Sequence, residues 1–216
     1  YYRLNRMEEA KRNFTDYLQL TQQTNNEMYA LAHYNLGYIA FHQKDYVQAQ
    51  NWFRKYISLE KGENKTALAD AYNRIGDCYL DVRNFDEAKH YYSQAEAMNT
   101  PSGDYSFYQL ALVSGLQKDY SGKITWLNRL AGKYPASPYA ISALYEKGRS
   151  YVLMDNNQQA ITSFKELLAK YPESPVSRKA AAEIGLLYYQ NEDYNQAIDA
   201  YKQVVQKYPG SDEARL

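Results

Sequence analysis

The tripeptide Lys-Tyr-Pro recurs at Lys133-Tyr134-Pro135, Lys170-Tyr171-Pro172 and Lys207-Tyr208-Pro209, a spacing of 37 residues each time. A fixed period of this length marks an array of stacked supersecondary units, each too small to bury its apolar face alone. Architecture is therefore settled before local detail, and function shifts from chemistry towards binding.

A second pattern runs through the whole chain. Small residues stand at Gly37, Gly76, Ala111, Gly148 and Gly185. Twelve residues later come Ala49, Ala88, Lys123, Ala160 and Ala197, and four beyond those Phe53, Tyr92, Leu127, Phe164 and Tyr201. Each unit reads as two helices. Glycine in a helix costs roughly 1 kcal/mol relative to alanine, so its recurrence at one phase implies close backbone approach. The alanine of the second helix is expected to face it, with the aromatic filling space between pairs. The turns Lys44-Asp45, Arg83-Asn84, Lys118-Asp119, Asp155-Asn156 and Glu192-Asp193 supply Asp or Asn to start the second helix. Each Tyr-Pro ends a helix. Ser137, Ser174 and Ser211 are placed to cap the next one, and Pro138 and Pro175 follow two of them.

Ala10 and Phe14 match the second-helix pair, so residues 2–20 read as a second helix, and Ser211-Asp212-Glu213-Ala214 as the opening of a further first helix. The chain opens Tyr1-Tyr2-Arg3-Leu4 without a signal-peptide pattern and reads as a fragment or processed form of something longer. The expected division is a half repeat (1–24), repeats at 25–62, 63–99, 100–136, 137–173 and 174–210, and a stub at 211–216. The third repeat is degenerate, with Lys123 in the alanine place. Irregular packing is expected there, with a change of superhelical phase near Asn99–Asp104 and extra loop residues near 61–65 and 97–103.

The small residue, the alanine, the following aromatic and the terminal proline together resemble the tetratricopeptide repeat (TPR). The resemblance covers nearly the whole chain and implies an all-α fold, a right-handed superhelical solenoid of antiparallel helix pairs. From Lys133 to Tyr151 and from Lys170 to Tyr188, Tyr-Pro-x-Ser-Pro followed by alanines, glycine and tyrosine resembles the TPR subgroup of bacterial envelope proteins, of the outer-membrane assembly lipoprotein and cell-division coordinator type. That implies a periplasmic or outer-membrane-associated setting, with the cytoplasm as the alternative.

Composition narrows the function classes. Lys+Arg and Asp+Glu both number 25, for a formal net charge of +0. No general attraction to nucleic acid follows. No apolar run reaches transmembrane length, so no direct membrane insertion is expected. The single cysteine, Cys78, allows no intrachain disulfide and reads as a small buried thiol. His33, His42 and His90 form no metal-binding pair, and Gly122-Lys123-Ile124-Thr125 lacks the parts of a phosphate-binding loop. No enzyme, cofactor or metal is expected.

In a TPR array the first helices line the concave face. Carried over, this places Tyr34, Tyr38, Phe41, Asn73, Asp77, Tyr108, Tyr145 and Arg149 there, with Asp70 one turn before Asn73 and Asp81 one turn beyond Asp77. Asp70, Asp77 and Asp81 fall at i, i+7 and i+11 on one helical stripe. Flanked by Tyr34, Tyr38, Phe41, Tyr108 and Tyr145, they suit a partner segment carrying Lys or Arg. The plainer alternative is a solvated acidic face. Lysine at the three aspartates is expected to weaken capture and leave the melting temperature little changed. TPR proteins that clamp a C-terminal carboxylate use Lys, Arg and Asn where this chain has Asp and Tyr, which argues against that role. The leading expectation is a non-catalytic scaffold binding a protein or peptide. A sensor or regulatory arm of a longer enzyme or transcription regulator is the alternative, and self-association through Ala10, Phe14 and Leu18 a third reading.

Overall fold

The computed structural model describes residues 2–21, 27–60 and 62–215. Eleven α-helices, and no strand, occur among them: α1 (Tyr2–Leu20), α2 (Glu27–His42), α3 (Tyr46–Leu59), α4 (Lys65–Asp81), α5 (Phe85–Ala97), α6 (Asp104–Leu116), α7 (Tyr120–Lys133), α8 (Ala140–Leu153), α9 (Asn157–Lys170), α10 (Pro175–Gln190) and α11 (Tyr194–Lys207). Residues 212–214 form a single 3-10 turn, shorter than the helix opening expected there. The boundary expected at 24/25, Lys61 and Leu216 lie outside the described residues. The chain divides into two compact units, Tyr1–Val113 and Ser114–Leu216.

In the first unit α2 pairs with α3 and α4 with α5; in the second α8 pairs with α9 and α10 with α11. The aromatic, not the alanine, presses on the helix glycine. A methyl group on Gly37 would sit 2.7 Å from the Phe53 ring, on Gly76 2.7 Å from Tyr92 and on Gly185 2.8 Å from Tyr201. Phe164 covers Gly148 in the same way. The alanines Ala49, Ala88, Ala160 and Ala197 are buried beside these rings. The expected Gly–Ala approach is thus corrected. The ring needs the flat face that only a missing Cβ leaves, and the alanine keeps the crossing tight around it.

The turn inside each pair is built one way five times. Asp45, Asn84, Asp119, Asn156 and Asp193 donate their N–H to the carbonyl five residues earlier, at 2.9 Å in every case. The preceding residues, Lys44, Arg83, Lys118, Asp155 and Glu192, have φ between 54° and 64°. These are Schellman endings with a non-glycine residue in the left-handed position. The residue that closes one helix also starts the next: Asp45, Asn84, Asp119 and Asn156 accept the N–H of Gln48, Glu87, Gly122 and Gln159. Asp193 holds the cap position without a side-chain bond.

Lys-Tyr-Pro has the role its spacing implies. Tyr134, Tyr171 and Tyr208 cap α7, α9 and α11, and the serine three residues on donates its N–H to each tyrosine carbonyl (3.0–3.1 Å). Ser174 caps α10 with Pro175 in the first turn. Ser137 likewise accepts the N–H two residues on, that of Tyr139, but α8 begins only at Ala140. The Tyr208 hydroxyl donates to the Pro172 carbonyl (3.0 Å), tying one joint to the previous one.

In the degenerate repeat Lys123 is buried. Its aliphatic chain runs over Gly115, where an added methyl would lie 2.9 Å from Cδ, and its ammonium pairs with Glu146. The glycine has moved one helical turn along to make room for the lysine.

Gly37→Ala should therefore cost about 1–3 kcal/mol, because Phe53 is fully buried and cannot yield. Gly132→Ala, with open space around it, should gain about 0.5 kcal/mol. Glu192→Gly, which relieves a φ of 64°, should gain about 1 kcal/mol. Thermal melts of the three variants check these opposite signs.

Candidate functional site: a polar cleft in the first unit

Helices α2 and α4 and the start of α6 enclose a cleft of about 530 Å³ in the first unit. Tyr34 and Tyr38 come from α2, Asp70, Asn73 and Arg74 from α4, and Tyr105 from α6; Thr100 and Ser102 come from the loop before α6. The i, i+4 spacing puts Tyr34 and Tyr38 on one face of α2, where both hydroxyls reach α4.

Asp70 and Asp77 both have partners within the chain. Asp70 accepts the hydroxyls of Tyr34 (2.7 Å) and Tyr38, and Arg74 Nε lies 3.5 Å from its other oxygen. Asp77 accepts the hydroxyls of Tyr92 (2.7 Å) and Tyr105 (2.8 Å) and pairs with Arg74 Nη1 at 2.6 Å. The Arg74 guanidinium stands 4.7 Å from the Tyr105 ring centre and 5.8 Å from that of Phe41. The cage of aromatics and carboxylates expected for a partner's cation exists, and the chain's own Arg74 occupies it.

The titration behaviour fits a part-buried polar network. Burial, reinforced by Asp70, raises Tyr34 and pushes Tyr38 up to about 12. Burial and then Asp77 raise Tyr92 and Tyr105. Burial works against the Arg74 charge, but Asp77, Tyr105 and Asp70 outweigh it and hold the guanidinium firmly protonated. For Asp77 burial wins: its carboxyl is raised above the ordinary value despite Arg74, Tyr92 and Tyr105. Cys78 next to it is buried and pushed up to about 12, chiefly by burial and then by Asp77, an inert thiol.

The nine residues expected to meet a partner are distributed unevenly. Tyr34, Tyr38 and Asp70 line the cleft. Phe41 and Asp77 form the Arg74 cage. Asp81 is exposed further along α4, with the Tyr46 hydroxyl 3.4 Å away. Tyr108 is half-buried on α6. Tyr145 and Arg149 belong to the second unit, Tyr145 against Phe164 (5.6 Å) and Arg149 paired with Glu183 (2.9 Å). The exposed stripe of three carboxylates is therefore corrected: only Asp81 is free of buried partners, and a lysine at Asp77 would strike at stability. Asn73, expected on the surface, is 5% exposed and accepts the Ser106 hydroxyl (3.0 Å). Arg74 was the residue to find. It lies four after Asp70 and three before Asp77, the two spacings at which helix neighbours meet.

Among the described residues no group of three or more His, Cys, Asp or Glu side chains could hold a metal, and no helix is long and apolar enough to cross a membrane.

The tetratricopeptide repeat family is matched over residues 28–100 in one form and over 73–138 and 145–212 in another. The chain belongs to the tetratricopeptide repeat family, and it is a protein-interaction scaffold of that type. Among solved structures it is similar to the MamA protein (17% identity, 87% of this chain and 96% of that one, TM-score 0.68). It is similar also to YrrB (18%, 94% and 95%, 0.66) and to BtubC from P. vanneervenii (12%, 93% and 89%, 0.70). At these identities the likeness is one of fold. The uncharacterized protein ycf37 of Guillardia theta is 40% identical over 62 residues, which is 29% of this chain and 35% of that relative's length.

Removing Arg74 should leave the largely buried Asp77 and the part-exposed Asp70 without their cation. Arg74→Met is expected to cost about 3 kcal/mol at neutral pH. The sign of the pH dependence follows from Asp77, whose folded-state pKa lies above its unfolded value. Protonation then favours the folded chain, so the deficit shrinks as the pH falls through the folded-state pKa. Denaturation at neutral pH and near pH 4 checks this.

Proposed function

We propose that the chain is a non-catalytic scaffold that takes an extended peptide segment of a partner into the first-unit cleft, chiefly through its main chain. The observation that carries this is Asn73. It lines the cleft at 5% exposure. Its Oδ1 is committed to Ser106, while its amide N–H₂ has no protein acceptor among the described residues. An amide donor without a protein acceptor, on a residue that lines an open cleft, is suited to a peptide carbonyl. Tyr34, Tyr38 and Tyr105 give the walls contact area, and the neighbouring carboxylates are both already paired with Arg74. YrrB, which shares the fold, is described as a TPR protein with an unusual peptide-binding site; that is consistent with this reading.

For the setting, we propose a bacterial envelope location, periplasmic or at the outer membrane. The support is the Tyr-Pro-x-Ser-Pro pattern of the last repeats, built here as helix-ending and helix-capping turns. Fractionation of the full-length protein in its native cell tests it, and recovery in the cytoplasm would overturn it.

Peptide-display selection against the whole chain tests the cleft. Thr66, exposed at its rim, is the site to block: Thr66→Trp should reduce capture at least about tenfold while changing stability by no more than about 0.5 kcal/mol. Unchanged capture sinks the site. Because Arg74 already offsets part of the carboxylate charge and the proposed contact is chiefly with the main chain, affinity should change by less than about threefold between low and high salt. A steep salt dependence would instead restore the acidic stripe as the binding element.

A further inference from the structure

A second cleft of about 530 Å³ lies in the other unit, on the opposite set of helices. Second helices α9 and α11 form its walls and α10 its floor. Leu168, Ala181, Ile184, Ala200 and Val204 give it an apolar base, with Lys165 at the rim. The repeat shows what this place holds elsewhere.

Ala181 lies four residues before the helix glycine, and Ala200 three after the second-helix alanine. In the first unit the same two positions are Tyr72 and Tyr91, with ring centres 6.3 Å apart. One repeat earlier they are His33 and Trp52, 5.5 Å apart. The first two repeats fill the joint with a pair of rings, and the fourth has the buried Leu144 and Ser163 at these positions; the last leaves two methyl groups and a void.

The polar fitting around the joint is retained. In the first unit Arg54 donates to the hydroxyls of Tyr79 (2.6 Å) and Tyr91 (3.2 Å), and the rings of Tyr79 and Tyr91 stack 5.5 Å apart. In the second unit Lys165 and Tyr188 stand at the positions of Arg54 and Tyr79. Lys165 Nζ donates to the Tyr188 hydroxyl at 2.9 Å and lies 5.5 Å from its ring centre. The stacking surface and the cation are present, and the ring that Tyr91 supplies is absent.

We propose that this cleft is a docking site for a tyrosine side chain presented by a partner polypeptide. The ring stacks on Tyr188 over Ala181 and Ala200, and its hydroxyl accepts from Lys165 as Tyr91 accepts from Arg54. The first unit, in effect, carries its own occupant. This site is separate from the Asn73 cleft and does not depend on it.

The test uses p-cresol, the tyrosine side chain in isolation, and toluene, which lacks the hydroxyl, added to the whole chain with labelled alanine methyl groups. Saturable NMR shifts of the Ala181 and Ala200 methyls by p-cresol are expected, with roughly fivefold weaker binding of toluene, the worth of one hydrogen bond. Ala200→Tyr should raise the melting temperature and abolish the p-cresol shift at Ala181. Lys165→Met should keep binding but remove the preference over toluene, so the proposal stays testable if Ala200→Tyr fails to fold. No saturable shift at either methyl, or equal affinity for toluene in the unaltered chain, overturns it. If p-cresol dissociates a dimer of the chain, the tyrosine comes from a second copy and the foreign partner is overturned.

Discussion

The structure depends on an aromatic ring lying against a glycine backbone. Phe53 on Gly37, Tyr92 on Gly76, Phe164 on Gly148 and Tyr201 on Gly185 repeat one contact four times. Each brings two helices closer than any side chain at the glycine would allow, and that closeness buries the alanine and, for Phe53, Tyr92 and Phe164, the ring itself. The energetic argument is one of exchange. Glycine weakens its own helix by roughly 1 kcal/mol, and the full burial of an aromatic ring, on the order of 2–3 kcal/mol, more than offsets that. The repeat thus trades local propensity for packing in every regular pair.

The turns obey a related economy of residues. One position ends the first helix with its N–H and, in four of the five turns, starts the second with its side chain, so the helices stay close and antiparallel. The left-handed residue before it is Lys, Arg, Asp or Glu in this chain, never glycine. Five such sites hold strain that the packed pairs outweigh. The degenerate repeat follows the same logic by other means. Lys123 enters the core where alanine belongs, Gly115 gives it room and Glu146 takes its charge.

Much of this was legible in the sequence, because the repeat multiplies each weak signal. The small residue, the alanine, the aromatic and the Asp or Asn turn each recur in phase, and the α helices fall where that phase puts them. Which residue meets the glycine was not legible, since both Ala and aromatic lie on the same helix face four apart. The site was harder for a clearer reason. Asp70 and Asp77 look exposed when α4 is read alone, but their partners Tyr34, Tyr38, Tyr92 and Tyr105 come from three other helices. Only Arg74 is local. A charge stripe on one helix carries no record of the hydroxyls that other helices will bring, so counting charges overstated what a partner could reach.

The two clefts differ in how they were emptied. The first-unit cleft is open although its carboxylates are internally paired, which leaves hydrogen bonding by Asn73 and contact with the tyrosine walls as its chief means of holding a partner. The second is open because alanines stand where the first two repeats place rings. Forgoing a buried ring pair sacrifices stability on the order of several kcal/mol. A compact domain with a single core could lose its fold that way. A repeat array can leave one joint underfilled, because its stability is a sum over repeats and the interfaces between them. Lys165 and Tyr188 keep at that joint the geometry that Arg54 and Tyr79 have around Tyr91, so what the last repeat has lost is the occupant and not the socket.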